Sequence, residues 1–188
     1  MFKKKIFKDL TSRYNNYAYS GLMGFFMNHC HKQLEKFNFP KNISKVLEIG
    51  AGSAPHYRFI NHHYDEYHIV ETSETVIKKY IDNPKVVATN YDGKILPYEE
   101  EYFDRIIISH CLEHIVDPES FLFEMMKKLK KGGILSISLP TDPGLLFRIG
   151  RLYLKIFSIK NKYKISSKQF DYMNATEHVN SIFGLSSI

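Results

Sequence analysis

Between Lys45 and Leu139 the chain repeats one pattern: a short apolar run, a turn, then a stretch with helical spacing. This alternation constrains the fold more than any other feature, because strands joined through helices lie parallel and need cover on both faces. Val46-Leu47-Glu48-Ile49 predicts a buried first strand, followed by the turn Gly50-Ala51-Gly52-Ser53 and a helix over 55–62. Tyr67-His68-Ile69-Val70 predicts a second strand, and 73–81 a helix ended by Asn83-Pro84. Lys85-Val86-Val87-Ala88 reads as the third strand, and 103–109, built on Ile106-Ile107-Ile108, as the fourth. Asp117-Pro118 starts a helix, since the carboxylate caps free N–H groups and proline suits the first helical position. That helix is expected to run to Lys130-Lys131 and stop at Gly132-Gly133, ahead of a fifth strand over 134–139. The expected fold is α/β: a Rossmann-like, doubly wound, mostly parallel sheet with helices on both faces.

Three regions follow: 1–44 as a basic segment and helix, 45–140 as the core, and 141–188 as a basic amphipathic helix and tail. The first helix is expected over 14–37, and the other near 145–159. With 188 residues the chain can bury a core without disulfides, and its two cysteines, Cys30 and Cys111, fit a reducing compartment. No run of 18 apolar residues exists, which argues against a spanning helix. The net charge of +6 divides unevenly: +4 over 1–13, −2 over 14–140, +6 over 141–170 and −2 over the last eighteen residues. A mildly acidic domain thus lies between basic segments. Arg148, Arg151 and Lys155 share one side of the later helix, so it can lie in a lipid interface or pack with its basic side in water. Lys3, Lys4, Lys5 and Lys8, beside Phe2, Ile6 and Phe7, invite the same two readings. The expected location is cytoplasmic, with peripheral contact at the inner membrane face through 1–13 and 145–168. The basic tracts match no groove-reading or base-stacking module, so no nucleic-acid partner is expected.

In open parallel sheets, ligands sit beyond the carboxyl ends of the strands, where strand order reverses. The turn after the first strand is therefore the place to look. Gly50 and Gly52 let the backbone turn tightly and approach a ligand with no Cβ in the way. A nicotinamide fingerprint needs a third small residue at 55, and Pro55 counts against a dinucleotide. Glu71 closes the second strand, where a carboxylate can accept from two ribose hydroxyls. Asp92-Gly93 follows the third strand, where a carboxylate can accept from an adenine amino group. Ser109-His110 ends the fourth. Each alone also reads as a surface or capping residue, but four strand ends in register point to a nucleoside ligand. His110 and His114 are base candidates, because histidine titrates near neutrality, though Glu113-His114 also reads as loop packing. His178, in the tail, is another. Neither His29-Cys30-His31 nor His62-His63 has ligand spacing, and no metal is expected.

Val46-Leu47-Glu48-Ile49-Gly50-Ala51-Gly52, Asp92-Gly93 through Leu96-Pro97 to Phe103-Asp104, Glu113-His114-Ile115 with Asp117-Pro118, and Leu129-Lys130-Lys131-Gly132-Gly133-Ile134-Leu135 together carry a resemblance. Residues 45–140 resemble the core of a class I S-adenosylmethionine-dependent methyltransferase of the type-11 group, with Ala54 where the family often has a third glycine. The resemblance implies S-adenosyl-L-methionine as cofactor. Gly50, Ala51 and Gly52 would line its methionine and ribose part, Glu48 would support the loop near the amino group, Glu71 would hold the ribose, and Asp92 with Gly93 the adenine. It further implies direct methyl displacement onto a small-molecule, glycan or lipid-linked acceptor, quinones included. Such sheets ordinarily end with two further strands, which are not visible in 181–188, so a shortened chain lacking them is expected. The alternatives are a truncated, non-catalytic cofactor- or membrane-binding protein and, disfavoured by Pro55, a nicotinamide-dependent oxidoreductase.

Overall fold

The computed structural model describes residues 21–52, 56–91 and 95–139. In chain order the elements are α1 (Gly21–Leu34), β1 (Lys45–Ile49), a 3-10 turn (His56–Arg58), β2 (Glu66–Glu71), α2 (Glu74–Ile77), β3 (Val87–Asn90), β4 (Phe103–Ser109), a second 3-10 turn (Leu112–His114), α3 (Pro118–Lys128) and β5 (Leu129–Ser138). All strands pair in parallel in the order β3-β2-β1-β4-β5. The chain steps outward from β1 to β3, then returns to lay β4 on the other side of β1. Direction therefore reverses between β1 and β4, and a crevice opens at their carboxyl ends.

The central strands are apolar on both sides because both sides are covered. Val46, Tyr67, Ile69 and Ile107 face one way, where Leu34 of α1, Val76 of α2 and Tyr80 pack on them. Leu47, Ile49, Val70, Ile106 and Ile108 face the other way, onto Phe121 and Met125 of α3. Phe103 joins this second side ahead of a register shift between it and Arg105. The sequence-predicted cap is present: the Ser120 N–H donates to Asp117 Oδ1 at 3.1 Å, with Pro118 in the first turn.

Five boundaries differ from expectation. The helix expected over 55–62 is a 3-10 turn, because the His56 N–H and the Asn61 N–H are both drawn to buried carboxylates. The helix expected over 73–81 is α-helical only over Glu74–Ile77 and tightens into i→i+3 bonds at Lys79 and Tyr80. The third strand begins at Val87, since the N–H groups of Lys85 and Val86 are already held by Asn83 after the turn. α3 ends at Lys128, because Leu129 is extended and buried opposite Phe103. Gly132-Gly133 thus sits inside β5 as an irregularity, where a Cβ on Gly133 would meet Leu129 at 2.8 Å. α1 ends at Leu34, short of 37, and 14–20 lie outside the described residues. So do 1–13, 140–188 and the question of further strands.

Candidate functional site

The turn after β1 uses a backbone conformation that favours glycine. Gly50 and Gly52 have φ of 65° and 57°, a left-handed region that penalises any residue with a Cβ. Space adds a second demand at Gly50, whose Cβ would stand 2.7 Å from Cys111 Sγ. Hydrogen bonds then fix the turn: the Gly50 N–H donates to Val70 O at 2.9 Å, and Tyr80 Oη donates to Gly52 O at 3.1 Å.

Glu71 closes β2 directly across from this turn. Its Oε2 accepts from the Gly52 N–H at 3.2 Å. Its Oε1 accepts from the Thr72 N–H at 2.8 Å, and from the Thr72 hydroxyl and the Ser73 N–H at 3.2 Å. A half-buried carboxylate thus bridges two turns, with a lone-pair site left on Oε2 for a ligand hydroxyl and the Thr72 hydroxyl on Oε1 able to yield its place to a second. Glu48, by contrast, points under the turn. The His56 N–H donates to its Oε1 at 2.6 Å and Tyr67 Oη to its Oε2 at 2.8 Å. Burial pushes its carboxyl up to about 7 despite those bonds.

At the end of β4 the chain turns sharply. Ser109 is buried, and its Oγ meets no hydrogen-bond partner among the described residues. His110 holds φ at 51°, unusual for a side-chain-bearing residue, with its N–H donating to Ser138 O at 2.9 Å. Such backbone strain clusters at functional sites. Glu113 follows in the 3-10 turn and is 3% exposed. Its Oε1 lies 4.0 Å from both His110 Nδ1 and His114 Nε2. Its Oε2 is buried with no hydrogen-bond partner among the described residues, and burial raises its carboxyl above the usual range. Burial, then the charges of Glu113 and Glu71, push the Cys111 thiol up to about 12, which disfavours its thiolate.

The structure therefore brings Gly50, Ala51, Gly52 and Glu71 together at one turn, and places Ser109, His110 and His114 at the end of the adjacent strand β4. Asp92, Gly93 and His178 lie outside the described residues. The His29-Cys30-His31 run is split by its helix, with His29 exposed and bonded to Gln33 while His31 is buried. Among the described residues no three His, Cys, Asp or Glu side chains are grouped to hold a metal. Sequence reasoning missed Arg105 and Glu35, which meet at 2.7 Å beneath this site. A lone arginine within the apolar run Phe103–Ser109 was the available signal, because a buried charge needs a partner.

Residues 47–137 match the family described as "Methyltransferase domain", type 11. The chain carries a class I methyltransferase domain of the type-11 group. A methyltransferase domain of this family implies S-adenosylmethionine as its cofactor. Over 101 residues it is 29% identical to a demethylmenaquinone methyltransferase of Clavibacter sepedonicus, covering 52% of this chain and 41% of that one. Over 106 residues it is 29% identical to a ubiquinone/menaquinone biosynthesis C-methyltransferase of Vibrio campbellii, covering 50% and 40%. The chain thus spans about two fifths of the length of these curated relatives. Among solved structures, a Thermotoga maritima S-adenosylmethionine-dependent methyltransferase, described as a possible histamine N-methyltransferase, superposes with a TM-score of 0.59 at 24% identity, covering 89% of this chain and 78% of that one. The [4+2]-cyclase SpnF superposes at 0.51 with 19% identity, covering 58% and 44%. A shared fold therefore leaves the reaction to be argued from the site.

Proposed function

We propose that the chain transfers the methyl group of S-adenosylmethionine to a small-molecule, glycan or lipid-linked acceptor. The observation that carries this reading is the Glu71 carboxylate beside the Gly50–Gly52 turn, a hydroxyl-accepting group next to two glycines held at positive φ. When bound, the cofactor supplies an electrophilic methyl on a sulfonium, so no enzyme nucleophile is needed. Glu71 accepts from the ribose hydroxyls, and Gly50, Ala51 and Gly52 give close backbone approach. Glu48 supports the turn from below, the buried Ser109 hydroxyl, without a partner among the described residues, lies at its edge, and Asp92 with Gly93 serve the adenine. His110 and His114, each 4.0 Å from Glu113, would take a proton from the acceptor and orient it.

The named activities of the curated relatives make a quinone-type ring the first acceptor class to try. Such acceptors reside in membranes, which agrees with lipid contact through the basic segments 1–13 and 145–168. The test is transfer of labelled methyl from the cofactor to a panel of hydroquinones, amines and polyprenyl-linked glycans. Label in one acceptor class supports the proposal, and His114→Ala should then lower turnover at unchanged cofactor affinity. Absence of label from every class, in a sample that binds the cofactor product, contradicts it.

A further inference from the structure

The turn that carries Gly50–Gly52 is held from beneath by side chains of α1, a part of the chain outside the matched domain. Glu35, directly after α1, is 5% exposed. Its Oε1 lies 2.7 Å from His56 Nε2 and 2.7 Å from Arg105 Nη1, and its Oε2 accepts from the Asn61 N–H at 3.0 Å. These neighbours keep its carboxyl below the usual range against the pull of burial. An ionised carboxylate only accepts, so His56 Nε2 carries the proton. The other ring nitrogen, His56 Nδ1, meets His31 Nδ1 at 3.0 Å in a hydrogen bond between the two rings. His31 is itself held neutral, its imidazole pushed down to about 3 by burial and by the nearby His56 and His110. The fully buried His56 ring is thus fixed at both nitrogens by α1 and the residue that follows it. Fixing the ring fixes the backbone, whose N–H reaches Glu48 Oε1 at 2.6 Å. Glu48 stands two residues before Gly50, so this bond ties His56 to the strand end that leads into the turn.

We infer that Glu35 is a positioning residue for the cofactor turn, acting through His56, whose N–H it holds against Glu48. The inference rests on reading Gly50–Gly52 and Glu71 as the cofactor site. It makes the N-terminal helix part of cofactor binding, although none of its residues in this network touches the turn's glycines.

The test compares Glu35→Gln with Ser136→Ala, each titrated with S-adenosylhomocysteine. Ser136 Oγ accepts from Arg105 Nε at 3.0 Å, so its loss disturbs the same buried network without touching His56. Glu35→Gln takes the charge out of the contacts with His56 and Arg105 and is expected to weaken binding about tenfold. Ser136→Ala should bind like wild type despite a lower melting temperature. Hydrogen exchange on the wild-type protein gives a second reading that no folding defect can blur: adding S-adenosylhomocysteine should slow the amides of 31–35 together with those of 48–52. Glu35→Gln affinity within twofold of wild type, equal weakening by both variants, or unaltered exchange at 31–35 would each overturn the inference. Failure of the folded wild type to bind would overturn the cofactor reading itself.

Discussion

On the side of the sheet covered by α3, Leu47, Ile49, Val70, Ile106 and Ile108 meet Phe121, Met125 and Leu129, and His68 is the main polar group among them. On the side covered by α1, a fully buried arginine, two buried histidines and two buried carboxylates occupy the same depth. Arg105 there donates to Ser136 Oγ at 3.0 Å and to the Leu34 carbonyl at 3.4 Å, pairs with Glu35, and lies over the Phe39 ring at 3.9 Å. Its Nη1 also reaches His62 Nε2 at 2.8 Å, an acceptor because His62 Nδ1 donates to the His63 carbonyl. The difference teaches where each kind of core is used. Apolar packing is non-directional and supplies stability wherever area is removed from water. Directional bonds specify one geometry, and here they lie beneath the turn that must meet a cofactor.

The sharpest way to break this contrast is to remove one charge from the polar side. Arg105→Met should destabilise by about 3–5 kcal/mol in urea denaturation, because Glu35 is left buried and unpaired. Changing Glu35 to Met in the same chain should restore part of that loss instead of adding to it. On the dry side Met125→Ala should cost about 2–5 kcal/mol as a cavity, with no partner substitution that recovers it. A double variant less stable than Arg105→Met alone would mean that the network is not organised around this pair.

A smaller effect is expected where the site meets the dry side. Gly50→Ala should cost roughly 1–3 kcal/mol from backbone strain, plus the clash with Cys111. Cys111→Ala in that background should relieve the clash but not the strain, giving partial recovery of melting temperature and cofactor affinity. Full recovery would show that φ at Gly50 is not the constraint.

The smallest effect is in pH dependence. Glu48 has a carboxyl raised to about 7 in the fold, so its contribution is fully present below its ordinary value near 4.5 and is lost as pH rises through 7. His31, lowered to about 3, contributes in the opposite sense, with stability lost as pH falls from 6.5 toward 3. Glu48→Gln should therefore gain stability relative to wild type between pH 5 and pH 8, measured as the difference of the two melting curves. A constant difference across that range would remove Glu48 from the account.

What the sequence made legible follows the same division. Phe103–Ser109 and the Asp117-Pro118 helix start are where periodicity and capping chemistry place them, and Glu71 does end the second strand. These depend on neighbours in the chain. The His56 N–H reaches Glu48 eight residues back, but the 3-10 turn also depends on Glu35, and Glu35 and Arg105 act through partners 21 to 71 residues away, which no local pattern contains. Gly132-Gly133 has the composition of a helix stop, yet burial of Leu129 ends α3 earlier. Glu48 was legible as a support for the loop, but its partners, the His56 N–H and Tyr67, were not.

The central claim is that the Gly50–Gly52 turn and Glu71 form a nucleoside site for S-adenosylmethionine. Calorimetric titration of the folded chain with S-adenosylhomocysteine, against NADH as control, tests it most directly. The account predicts binding of S-adenosylhomocysteine alone, strongly weakened in Glu71→Ala. Unchanged affinity in Glu71→Ala, or binding of NADH in place of S-adenosylhomocysteine, would contradict it.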